Sequence, residues 1–196
     1  VTVYDNYTAP QSGGRFHWNG VYRSADDTIE EDIHQVFAAS TLSAYYLPFS
    51  NMSSSGRLSR FSYSLEFIDT SGARIGMSAF NVDLSLFPLP ANSTGILAWP
   101  DGAFDGVGIQ LPSSFKLRIR LFDPVGIVAN DLGFPFGGPV TAGYSAPGMR
   151  NVTTNSDIAL TGEDTLEFFI RGRVIPCPSV GFSASIGVCF ALRRRR

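Results

Sequence analysis

The chain has 196 residues, 44% of them hydrophobic and 16% charged, with a formal net charge of −2. That length fits one domain with a core large enough to fold alone. No apolar run approaches the eighteen residues of a spanning helix, and two histidines and two cysteines exclude a disulfide-dense scaffold and a four-thiolate zinc site.

Val1 stands first with no basic or apolar leader, so a processed N-terminus is expected. The segment Val1, Val3, Tyr4 has the composition of a strand able to add to the sheet edge of another copy. Asn6-Tyr7-Thr8 is the first of four glycosylation triplets; the others are Asn51-Met52-Ser53, Asn92-Ser93-Thr94 and Asn151-Val152-Thr153. Half of the eight asparagines lie in such triplets, which points to an extracellular or surface location with glycans on exposed loops. His17-Trp18-Asn19-Gly20 places an indole beside a turn, where its flat face suits stacking on sugar. Plugging the open end of a core is the structural alternative.

Between residues 28 and 39 the pattern changes. Thr28 is followed three positions later by Glu31, and Ile29, Ile33, Val36 and Phe37 recur at helical spacing, which predicts a capped helix over 29–39. Glu30, Glu31 and Asp32 would then sit in its first turn against the positive end of the dipole. With Asp26 and Asp27 they also form an acidic group of the kind that binds hard cations, but capping accounts for them without an ion. His34 would lie on the helix surface, and its spacing from His17 gives no metal pair.

After this segment the sequence is punctuated throughout by 20 glycines and 12 prolines, and short apolar runs alternate with polar residues. Strands are predicted over 42–47, 61–67, 75–80, 82–87, 115–122 and 165–174, with seven to nine expected in all. Asp69 to Gly72 supplies the turn of a hairpin. In the run 115–122, Phe115, Leu117, Ile119 and Leu121 form a buried stripe while Lys116, Arg118 and Arg120 face water. Two loops, Leu86-Phe87-Pro88-Leu89-Pro90 and residues 132–139 with Phe134 and Phe136, are aromatic, proline-rich and suited to burial against a neighbouring subunit. Trp99 repeats the turn-side indole, and Asp101 with Asp105 reads as two turns.

Nucleophile chemistry finds no support. Gly143-Tyr144-Ser145-Ala146-Pro147 lacks the last glycine of a nucleophile elbow, and no cofactor or metal site is indicated. Near the C-terminus Cys177 and Cys189 can close one bridge, but only if the intervening alternating segment folds back, because twelve extended residues span about 40 Å. Arg193, Arg194, Arg195 and Arg196 end the chain; without them eleven basic residues stand against 17 acidic ones. They read as a processing site, a solvated tail, or an arm for nucleic-acid phosphates, the last disfavoured by the acidic body.

These features predict a single antiparallel β-sandwich over residues 1–192, jelly-roll being one arrangement, with one short helix and a basic tail at 193–196. The expected role is a non-enzymatic, N-glycosylated structural subunit that self-associates as a filament or surface coat. The alternatives are a jelly-roll coat protein of a non-enveloped virus and a carbohydrate-binding module.

Overall fold

The computed structural model describes residues 2–5, 21–23, 26–104, 106–135, 143–145, 149–158 and 169–175. Twelve strands lie among them: β1 Thr2–Asp5, β2 Val21–Arg23, β3 Thr28–Asn51, β4 Arg60–Ile68, β5 Arg74–Asp83, β6 Ser93–Trp99, β7 Gln110–Val125, β8 Leu132–Pro135, β9 Tyr144–Ser145, β10 Met149–Asn151, β11 Ser156–Ile158 and β12 Phe169–Val174. All join one antiparallel sheet whose main path runs β1-β12-β3-β7-β4-β5. The all-β antiparallel class is therefore the one expected, with more strands than the sequence suggested.

β3 is the spine. One of its edges pairs with β7 along residues 28–41 and then with β6 along 45–51; the other meets β10, β9, β12 and β8 in turn. The expected helix over 29–39 is not present; those residues belong to β3. Ile29 and Ile33 are four apart, a spacing that is also even, so it puts both on one face of a strand as readily as on one face of a helix. Tertiary partners decide between the two. Glu30 lies opposite Arg118 and Asp32 opposite Lys116 on β7, so these two carboxylates answer the basic face of a neighbouring strand, not a helix dipole, while Glu31 between them lies opposite Leu117 and is buried.

Between His34 and Ala39 the β3–β7 register jumps, because β7 advances only from Ser114 to Pro112 over the same stretch. Buried Gln35 fills the gap. Its Nε2 donates to the carbonyls of Leu111 (2.7 Å) and Pro112 (2.6 Å), and its Oε1 accepts from Ser40 Oγ at 2.8 Å. Beyond this irregularity the second half of β3 crosses the core to face strands it does not pair with: the Phe49 and Phe61 rings are 4.6 Å apart, and the Tyr45 and Tyr63 hydroxyls are 2.7 Å apart. Gln35→Leu is expected to lower stability by about 1–3 kcal/mol, since it removes three hydrogen bonds made by one buried amide. Urea unfolding checks it; a wild-type midpoint would show that water replaces the amide.

The core is built on the inward stripes of three strands. Phe61, Tyr63, Leu65 and Phe67 of β4, Phe115, Leu117, Ile119 and Leu121 of β7, Ile29 and Ile33 of β3, and Leu42, Tyr45, Leu47 and Phe49 further along it are all buried. The expected β4–β5 hairpin is present: Asp69 Oδ1 accepts from the Ser71 and Ala73 N–H groups, and Gly72 adopts φ 90°. The run expected over 82–87 stops as a strand at Asp83, where a turn begins. Of the run 165–174, β12 accounts for 169–174 and the rest lies outside the described residues.

Candidate assembly surface

At one end of the sheet, where β4 begins and β5 and β7 finish, the chain between β5 and β6 makes a clamped apolar turn. Asp83 Oδ1 accepts from Ser85 N at 2.8 Å, and Phe87 N donates to Leu84 O at 2.9 Å. Both flanks are tied down: Leu84 N donates to Ser59 O (2.7 Å), and Leu58 and Leu89 exchange backbone bonds of 3.0 and 2.9 Å. Asn51 adds a second clamp, with Nδ2 donating to the carbonyls of Gly56, Leu89 and Pro90 at 2.9–3.0 Å. Leu86 and Phe87, at the tip, are each 87% exposed, and Val125 and Val128 are exposed at the same end. A flexible loop would fold such side chains inward; this one is held with them outward.

The other expected association residues are placed differently. Val3 is fully buried in β1, which pairs with β12 of the same chain through Thr2, Tyr4 and Asp5. Phe134 is buried in β8 against β2, with Tyr22 as its register partner. Neither is available to a second subunit, because the fold needs its apolar surface internally. Val1 and Phe136 lie outside the described residues.

Two glycosylation expectations are overturned by burial. Asn51 is 1% exposed and Asn151 4%, and an acceptor amide must be reachable. Asn51 Oδ1 accepts from both the N–H (3.0 Å) and the hydroxyl (2.8 Å) of Ser53. Asn151 Nδ2 donates to Asp27 Oδ2 (2.6 Å) and Tyr22 OH (3.2 Å), while its Oδ1 accepts from Thr154 N. The triplet's Ser53 closes a local turn and Thr153 Oγ1 accepts from Thr28 N, so both triplets are structural motifs that share the spacing of a glycosylation signal. Asn92 is exposed, in a turn at φ 52°. Asn6 lies outside the described residues, as do Cys177, Cys189, Trp18 and Arg193 to Arg196.

Trp99 turns into the core. Its Nε1 donates to Tyr63 OH at 2.7 Å and its ring lies 4.4 Å from that of Phe80, so the sugar-stacking reading of this indole gives way to the plugging one. The Tyr45 hydroxyl bonds Tyr63 and Ser78 at 2.7 Å each, and burial pushes its pKa far up, so it stays a neutral link in this chain of bonds. Asp101 pairs with Arg171 at 2.5 Å, a bond that holds its carboxyl below the usual range.

On the outer face Lys116 and Arg118 both reach Glu30, at 2.6 Å. Lys116 is thus not the freely wet residue that alternation suggested. Among the described residues no group of three or more His, Cys, Asp or Glu side chains is arranged to hold a metal ion, and no helix is long and apolar enough to cross a membrane.

Gln35 leaves no sequence signal beyond a polar residue in an apolar run, and Asn51 is visible only through its triplet. Comparison with protein-family models, curated proteins and solved structures found no match to this chain.

Proposed function

We propose that this chain is a non-enzymatic structural subunit, carried on the outside of a cell or particle, that associates with copies of itself. The supporting observation is the Leu86–Phe87 tip, two large apolar side chains each 87% exposed on a turn held from both flanks. Docking a turn already fixed in shape costs little entropy, and covering two such side chains removes an apolar area that a lone subunit leaves in water. Light scattering at matched concentration tests this: the wild type is expected to be oligomeric, and Leu86→Ser combined with Phe87→Ser to lower the mass. A wild type that stays monomeric at high concentration overturns the proposal.

The jelly-roll coat protein of a non-enveloped virus is the second reading, and one observation favours it. A coat assembled in the cytosol would not meet the glycosylation machinery, so glycosylation triplets weigh against it, and the internal bonding of Asn51 and Asn151 accounts for two of the four without any glycan. Electron microscopy of native material separates a closed shell from a filament or surface layer. The carbohydrate-binding reading keeps only Trp18, since Trp99 is committed to the core.

A further inference from the structure

We infer that the open edge of β5 is the site at which a second copy of this chain adds, antiparallel and about a two-fold axis at Ala79. The inference rests on the self-association proposed above and names its partner surface. β5 is a ten-residue strand at one end of the sheet path, and among the described residues it pairs only with β4. Natural edges of this length are guarded by proline, by charge along the strand, by a bulge, or by a covering segment. β5 has no proline and no charged residue between Arg74 and Asp83, and its one bulge, at Ile75, lies at the start and leaves residues 76–83 in unbroken register with β4.

Leu84 N–H is directed at Ser59 on the β4 side. By the alternation of a strand the backbone groups of Met77, Ala79 and Asn81 therefore face the open edge, where another strand would satisfy them. Met77 and Phe80 are each 45% exposed along the same stretch. Phe80 stands at the lip of the core beside Trp99 and Tyr63, where an added strand would complete its cover.

Charge selects the occupant. The strand is positive at its start and negative at its end, and both ends lie on the outer face. Arg74 Nη1 reaches Glu66 Oε1 (3.2 Å) and Met77 Sδ (3.5 Å) there, because a bulge between Phe67 and Ile68 shifts the register and turns Arg74 to that side. Asp83 shares the phase of Met77. An antiparallel copy sets each Arg74 beside the partner's Asp83, whereas a parallel copy sets like charges together. The strand is self-complementary only under a two-fold, the commonest symmetry of homodimers.

The test uses the full chain and sedimentation equilibrium. Ala79→Pro removes an edge-facing N–H and leaves the β4 ladder intact; Ala79→Lys adds an edge charge without touching the backbone, and it decides the matter if the proline variant proves unfolded by circular dichroism. Either should raise the dissociation constant by about tenfold or more. Arg74→Glu and Asp83→Lys should each be monomeric alone, and their equimolar mixture should associate, since only the mixed pair matches charges at both ends. If folded Ala79→Lys associates like the wild type, the edge inference is wrong while the self-association reading stands. A monomeric wild type removes both.

Discussion

Leu117→Ala is expected to lower the unfolding free energy by about 2–5 kcal/mol, a large part of what holds a domain of this size together. Leu117 is 1% exposed and lies in β7 between Phe67 of β4 and Glu31 of β3 in register. Its flanking stripe residues Phe115 and Ile119 are equally buried, and the Phe67 and Phe115 rings meet at 6.1 Å. Removing three carbons from the middle of this stripe leaves a cavity among buried side chains carried by three paired strands, whose ladders limit how far the site can collapse to fill it. Guanidinium unfolding of both proteins checks this. A loss under 1 kcal/mol would mean that the stripe of β7 does not face the core.

This stripe was legible because alternation over eight residues admits only one period. Phe61 to Phe67 and the Asp69–Gly72 turn were readable on the same ground, and their burial and bonding follow the pattern position by position. The 29–39 segment was not, for a reason internal to the signal. Ile29 and Ile33 fit periods of both 2.0 and 3.6, and Thr28 with Glu31 fits a capping box, so local rules converged on a helix. The partners that overrule them, Lys116 and Arg118, lie more than eighty residues away. Cross-strand charge pairing leaves no local trace.

The asparagine triplets failed in a different way. Asn followed two residues later by Ser or Thr is both a glycosylation signal and a way to close a turn, since the asparagine carbonyl accepts from the residue two on. At Asn51 the second use is realised, with Ser53 donating twice, and the remaining amide donors fasten the Leu89–Pro90 strap. The sequence shows the triplet but not the side on which its amide lies. The apolar tip at Leu86 and Phe87 was visible as composition; its exposure depends on bonds to Asn51 and to the adjacent Leu58 and Ser59, about thirty residues earlier in the chain.

Glu30→Gln is expected to lower stability at pH 7 by about 2–4 kcal/mol and to flatten the acid limb of the stability profile. The Glu30 side chain is 7% exposed, and Lys116 Nζ and Arg118 Nε each approach it at 2.6 Å. Burial alone would raise its pKa, but the two charged donors outweigh burial and hold it below the ordinary value of 4.5. Removing one member of a buried pair costs about 3–5 kcal/mol; the figure is lower here because Lys116 and Arg118 are 34% and 32% exposed, so water screens what is left unpaired. A lowered carboxyl pKa means that the unfolded chain binds the proton more readily. The stabilisation is then present above the ordinary glutamate value and is lost as pH falls through the lowered one. Lys116 runs the other way: the bond to Glu30 raises its pKa above 10.5, so its share is present below that value and is lost as pH rises through the raised one. Denaturant unfolding at pH 7 and pH 3 separates this account from simple packing. The gap between wild type and Glu30→Gln should narrow at pH 3, where the carboxyl of the unfolded chain already holds its proton and part of the wild-type stabilisation is gone, whereas an equal gap at both would mean that the shape of the side chain, and not its charge, stabilises the β3–β7 pair.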